Sequence, residues 1–145
     1  MIKVLCVGKI KEKYLSDLID DYYKRINKYH KLEIIEVKDN NDINIETNNL
    51  LKYINKFDYI IGMCIDGKTY NSIEFAGFLD KLFISNSNIT FIIGGSNGIS
   101  DEVRKLCNSF ISFSNMTFPH GLFRGILLEQ IYRSFKINNN ESYHK

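Results

Sequence analysis

Five short β-favouring runs, each separated from the next by a helix-length segment, predict an α/β domain: a parallel or mostly parallel sheet with helices on both faces. Two runs, Ile2–Val7 and Ile89–Ile93, are apolar enough to be buried on both sides, as strands of such sheets are. Between the first two runs, Leu15, Leu18, Ile19, Tyr22 and Ile26 recur at the i, i+3, i+4 spacing of a core-facing helical stripe. No internal repeat, linker or change of composition divides the 145 residues, so residues 1–145 form a single domain, large enough to bury a core.

The elements follow in order. Ile2–Val7 is the first strand, and Gly8 and Lys9 turn the chain into the long amphipathic helix, whose end carries Lys24, Arg25, Lys28 and Lys31. Basic residues in a last turn suit the helix dipole and need no further reason. Leu32–Val37 is the second strand. Residues 38–47 are polar and Asn/Asp-rich and read as a surface loop, followed by a short helix around Leu50, Leu51 and Ile54. A third strand spans 59–65, and Asp66-Gly67-Lys68 after it is a turn signal. Asn71 with Glu74 three residues on forms a capping box, and the helix it opens turns Ile73, Ala76, Leu79 and Leu82 or Phe83 inward. Ile89–Ile93 is the fourth strand. A helix over 101–107, a short strand over 110–113 and a last helix with the stripe Leu122, Ile126, Leu127, Ile131 and Phe135 complete the chain.

Composition is that of an ordinary globular protein, 44% hydrophobic and 25% charged. A net charge of +2 gives no strong whole-protein field, so binding to nucleic acid requires a local patch. Three widely spaced cysteines, Cys6, Cys64 and Cys107, show neither C-x-x-C spacing nor an even count; they read as small buried hydrophobes in a reduced compartment, and no metal site is expected. The N-terminus has no signal-peptide pattern and no run reaches the length of a membrane span, so the expected location is the cytoplasm. His30 reads as a surface residue.

Chemistry concentrates in two places. The first is Phe-Ile-Ile-Gly-Gly-Ser-Asn-Gly at 91–98, a buried strand that stops at a glycine bend before Ser100-Asp101-Glu102 opens a helix. That order puts bare backbone at the carboxyl end of a strand, where ligands bind in open α/β sheets. The spacing matches neither G-x-G-x-x-G nor a P-loop, and by itself fits a tight strand–helix turn better than a ligand site. The second is the stretch after Ser112, which holds the only proline, Pro119, fixing a loop before the last helix. This tail carries Arg124, Arg133, Lys136 and Lys145 against Glu129 and Glu141, and two of the three histidines, His120 and His144. A basic helix with aromatics nearby fits an RNA-facing surface. On charge count alone it fits a solvated face with i, i+4 pairs such as Glu129–Arg133 better.

Taken together, the bend at 91–100, the block Ser-Phe-Ser-Asn-Met-Thr-Phe-Pro-His at 112–120, Arg124, Leu-Glu-Gln-Ile-Tyr-Arg at 128–133, and the terminal Tyr143-His144-Lys145 resemble one family. It is the ribosomal RNA large-subunit methyltransferase H family of the SPOUT class. The opening Val-Gly-Lys-Ile-Lys-Glu-Lys-Tyr at 7–14 and Leu32–Val37 fit it too, so the resemblance covers nearly the whole chain. It implies a homodimer with a C-terminal trefoil knot that binds S-adenosylmethionine and methylates N3 of a pseudouridine in large-subunit (23S) ribosomal RNA within the assembled ribosome.

By position, the resemblance places the cofactor against Met63, Gly94, Gly95, Phe113, Ser114, Asn115, Met116, Thr117 and Phe118. His120, Arg124, Glu129, Arg133, Tyr143 and His144 match its polar positions near the RNA. His144 first and Glu129 second are the candidate bases for the N3 proton; Arg124 or Arg133 would hold phosphate or developing negative charge, and Tyr143 would stack on a base. Two glycines depart from the pattern: glutamine is expected at Gly121 and a larger apolar residue at Gly125. They are the one support for an alternative, a non-catalytic ribosome- or RNA-binding protein that keeps the knotted cofactor pocket. A flavodoxin-type nucleotide-binding domain is disfavoured, since the other strand ends lack hydroxyl-rich or basic residues.

Overall fold

A computed structural model describes all residues, 1–145. Its strands are β1 (Ile2–Val7), β2 (Leu32–Val37), β3 (Tyr59–Thr69), β4 (Ile89–Ile93) and β5 (Ser109–Ser112). Its helices are α1 (Lys13–Ile26), α2 (Ile43–Leu51), α3 (Ser72–Ser85), α4 (Asp101–Arg104) and α5 (His120–Asn138). The five strands form one sheet in the order β2-β1-β4-β3-β5. Every neighbouring pair is parallel. All five carboxyl ends therefore lie on one edge, and the segments that follow them cluster there.

Alternate strand residues feed two cores. On one face Val4, Cys6, Ile61, Met63, Phe91, Ile93 and Ile111 pack with α1, α3 and α5 through Ile19, Ile26, Phe75, Leu79, Leu127, Leu128 and Ile131. On the other, Leu5, Val7, Ile60 and Ile92 pack with Leu50 of α2 and Val103 of α4. Strands apolar at every position are what two covered faces require.

Several boundaries differ from expectation. α2 begins at Ile43, inside the stretch read as loop, because Asp42 caps it by accepting the Asn44 N–H at 2.9 Å. Its Glu46 and Thr47 are buried, and Ile54 lies beyond its end. Asp66-Gly67-Lys68 does not turn: β3 runs on to Thr69 through a register shift between Met63 and Lys68. Gly67 makes this possible, since a Cβ there would lie 2.6 Å from the Ile111 nitrogen. In α3 the capping box forms as read, but Ile73 is exposed and Phe75 takes the inward position. α4 stops at Arg104, three residues short of the expected end.

α5 differs most. It is wedged between α1 and α3 and buries both Leu127 and Leu128, Ile131, Tyr132 and even Arg124, while Leu122 is 38% exposed. The single apolar stripe expected of it is therefore too narrow. Gly121 and Gly125 face α1: a Cβ at Gly121 would meet Ile10 Cδ1 and Leu15 Cδ1 at 2.9 Å, and one at Gly125 would meet Leu18 Cδ2 at 2.7 Å. The two glycines let α1 and its preceding loop approach closely, which offsets their cost to helix propensity. His30 is half-buried, its ring 4.6 Å from that of Phe83.

Candidate functional site

Because β4, β3 and β5 are neighbours, the middle of β3 and the segments leaving β4 and β5 enclose a cavity of about 860 Å³. From β3 come Met63, Cys64 and Ile65; from the β4 end, Ile93, Gly94, Gly95, Ser96, Gly98 and Ile99; from β5 and its following loop, Ile111, Ser112, Phe113, Ser114, Met116, Thr117, Phe118 and Pro119. Every residue the resemblance assigned to the cofactor lines this space except Asn115. His120 and Phe123 from the first turn of α5 close one side.

The bend is tight for a steric reason. Gly98 donates its N–H to the Gly95 carbonyl at 2.9 Å and adopts φ +73°, and a Cβ on Gly94 would lie 2.6 Å from the Gly98 carbonyl carbon and oxygen. The facing loop is set by its own hydroxyls. Ser112 Oγ donates to the Ser114 carbonyl at 2.9 Å, and Ser114 Oγ accepts the Met116 N–H at 3.0 Å. Phe113 is locked between Phe75 and Phe123, with ring centres 5.6 Å from each.

These walls suit an adenosyl sulfonium compound. The volume lies in the range of small-molecule sites. Ile93, Ile111, Phe113 and Phe118 offer flat apolar contact, while the bend and the 112–117 loop offer backbone donors and acceptors to a base edge. No carboxylate lines the cavity, so a sulfonium charge would rest against aromatic faces and carbonyl dipoles. Arg104 sits at the rim, held by Asp66 at 3.0 Å and lying over the Phe110 ring at 4.5 Å.

The polar residues of the tail form a second, separate cluster. Glu129 Oε1 accepts from Arg133 Nε at 3.0 Å, Arg133 Nη2 at 2.6 Å and the Tyr143 hydroxyl at 3.1 Å. The Tyr143 and Tyr22 hydroxyls are 3.3 Å apart, and burial first, then these hydrogen bonds, push the Tyr143 phenol well above its ordinary range. Arg133 Nη1 lies 3.0 Å from His144 Nδ1. Since a guanidinium only donates, Nδ1 is the acceptor, and neutral His144 carries its proton on Nε2. Within one chain, Glu129, Arg133, Tyr143 and His144 come together but do not line the cavity.

Arg124 joins neither group. It is 2% exposed, paired with Glu36, and donates to the Gly8 carbonyl at 3.1 Å. Glu36 also accepts the Ile10 N–H at 3.1 Å, so the pair ties the β1–α1 loop to α5. The expectation that Arg124 faces phosphate is corrected on that ground: burial and two fixed acceptors hold its guanidinium inside the fold. Outside the two stretches singled out in the sequence, Cys64, Ile65, Arg104 and Ile111 also line the cavity, brought there by sheet register and helix placement. No local motif marks them.

A family model described as "Predicted SPOUT methyltransferase" matches residues 1–144. The ribosomal RNA large subunit methyltransferase H of Caldicellulosiruptor saccharolyticus is 42% identical over 154 residues, covering 100% of both chains. The protein of the same name from Clostridium botulinum strain Langeland is 46% identical over 157 residues, covering 99% of each. Among solved structures, a probable methylase family protein from Haemophilus influenzae superposes with a TM-score of 0.61 at 10% identity, over 96% of this chain and 66% of that one. The SpoU methyltransferase AviRb from Streptomyces viridochromogenes, in complex with AdoMet, gives 0.50 at 11% identity, over 92% and 57%. This chain spans less than two thirds of either solved chain, and both likenesses concern the fold.

Proposed function

The chain belongs to the SPOUT methyltransferase family, in its ribosomal RNA large-subunit methyltransferase H branch, and we propose that it methylates N3 of a pseudouridine in 23S ribosomal RNA of the assembled ribosome. At the coarser level it is an S-adenosylmethionine-dependent methyltransferase acting on ribosomal RNA. The observation that carries the reading is the cavity between the middle of β3 and the carboxyl ends of β4 and β5. It gathers two sequence blocks some twenty residues apart, and Met63, into one wall.

When bound, S-adenosylmethionine supplies an electrophilic methyl group on a sulfonium. The residues around it have positional work, because an in-line displacement gains most of its rate from alignment. Gly94 and Gly95 admit the cofactor against main chain; the Ser112 and Ser114 hydroxyls keep the opposite loop in shape. Bond making at N3 is matched by loss of the N3 proton, which requires an acceptor. Glu129 Oε1 already takes three donors and His144 Nδ1 takes Arg133, so the tail network fits holding RNA and orienting Tyr143 better than it fits proton abstraction. Arg133, its side chain 25% exposed against 2% for Arg124, is the cation this reading assigns to phosphate.

The separation of cavity and tail network within one chain supports the homodimer, with the tail of one copy completing the site of the other. The C-terminal trefoil knot and cytoplasmic location belong to the same reading; no helix is long and apolar enough to cross a membrane. The non-catalytic alternative loses its support, because Gly121 and Gly125 have a packing reason in the α1–α5 contact.

The test is tritiated methyl transfer to ribosomes from a strain lacking the modification, with separate subunits and free RNA alongside, followed by mapping of the labelled base. Label at one pseudouridine N3, in assembled ribosomes alone, is the expected result. Cofactor binding with no transfer to any of these substrates would return the chain to the non-catalytic reading.

A further inference from the structure

α2 carries two polar side chains in the core, Glu46 at 1% and Thr47 at 2% exposure, in a stretch whose composition reads as surface loop. Neither lines the cavity, yet both are tied to the segment that forms its glycine wall. Glu46 Oε2 accepts the Asn40 N–H at 2.8 Å. The carbonyls of Asn40 and Asn41 in turn accept from Asn97 Nδ2, at 3.2 and 3.4 Å, and Asn97 lies inside the bend between Gly95 and Gly98. The same Glu46 oxygen stands 3.4 Å from where a Cβ on Gly95 would be, so the carboxylate backs the bend directly as well. Thr47 Oγ1 donates to Ser100 Oγ at 2.7 Å, and that hydroxyl accepts the Val103 N–H, closing the far end of the segment.

The remaining oxygen, Glu46 Oε1, is buried with no hydrogen-bond partner. An unpartnered buried carboxylate oxygen is destabilising, and an apolar side chain of similar volume would fill the space without that cost. What the carboxylate adds over such a side chain is its hydrogen bond to Asn40 and its contact with the bend.

We propose that Glu46 and Thr47 are positioning residues for the cofactor: acting through Asn40, Asn97 and Ser100, they hold the 94–100 segment in the shape that receives S-adenosylmethionine. This rests on the reading of the cavity as the cofactor site. It extends that site to a helix on the opposite sheet face, which touches no ligand. Loss of the latch leaves the segment able to form and to react once filled, and raises the free-energy cost of ordering it around the cofactor.

The experiment compares wild type with Glu46→Met, which removes the acceptor at similar volume, Thr47→Val and Asn97→Ala, the last at an exposed residue whose truncation leaves the core intact. Three quantities are read: amide hydrogen exchange over 94–100 in the free protein, the KM for S-adenosylmethionine, and kcat at saturating cofactor. The latch predicts faster exchange confined to that segment and a KM raised about three- to tenfold per lost hydrogen bond, with kcat and the urea midpoint of Asn97→Ala near wild type. Unchanged exchange over 94–100 in Glu46→Met and Asn97→Ala overturns the proposal, whatever the protein methylates. If wild type binds no S-adenosylmethionine, the cavity reading fails and the proposal, as a statement about the cofactor, fails with it. Wild-type binding with unaltered KM in every variant overturns the latch alone.

Discussion

Gly125 of α5 packs directly against Leu18 of α1: a Cβ there would lie 2.7 Å from Leu18 Cδ2. The neighbour is the end of a half-buried side chain, so a methyl group can be accommodated by a small shift, with helix propensity regained in return. Gly125→Ala should stay within about 1 kcal/mol of wild type, whereas Gly125→Leu should cost about 1 to 3 kcal/mol through overpacking. Urea unfolding separates the two; a Leu variant as stable as wild type would show that the helices are not held this close.

The Arg124–Glu36 pair is asymmetric, with the guanidinium side chain 2% exposed and the carboxylate 37%. Removing Glu36 strands a buried cation whose Nε already lacks a partner. Glu36→Ala should cost about 2 to 3 kcal/mol, below the range for fully buried pairs because the carboxylate keeps contact with water. Arg124→Met removes the buried charge itself and should cost less. The same urea titration checks this order, which a phosphate-facing Arg124 would not produce.

His144 offers its acceptor nitrogen to Arg133. If its task is to clamp RNA through this network, His144→Ala lowers affinity for ribosomes and leaves the pH dependence of single-turnover methylation unchanged. A pH–rate profile that loses its acidic limb in this variant would restore His144 as the base.

His30 packs on Phe83, and burial lowers its pKa from the ordinary 6.5. The folded state then binds fewer protons than the unfolded chain as pH falls through 6.5, so stability is fully present above that pH and declines below it. His30→Phe should flatten this part of the curve of unfolding free energy against pH. An equally steep decline in the variant would assign it to other groups.

Legibility followed how local each feature is. β4 and the Asn71–Glu74 capping box were readable because each is specified by its own few residues, and the glycine bend because only backbone without Cβ fits a strand end approached by Gly98. Asp66-Gly67-Lys68 misled because its turn chemistry is also what lets β3 pass close to β5; the reason for Gly67 is Ile111, more than forty residues away. Glu46 and Thr47 were hidden among asparagines, since nothing local distinguishes a buried carboxylate from a solvated one. Arg124 was singled out by position in a motif, but its partners, Glu36 and Gly8, come from the other end of the chain.

If S-adenosylmethionine occupies the cavity between β3, β4 and β5, it lies against the glycine bend. Isothermal titration of S-adenosylmethionine into the wild-type protein and Gly94→Ala tests it most directly, because the added methyl would strike the Gly98 carbonyl at 2.6 Å. One site per chain is expected in wild type and its loss or severe weakening in Gly94→Ala, with the fold retained by circular dichroism. Equal binding by both proteins, or none by wild type, would contradict it.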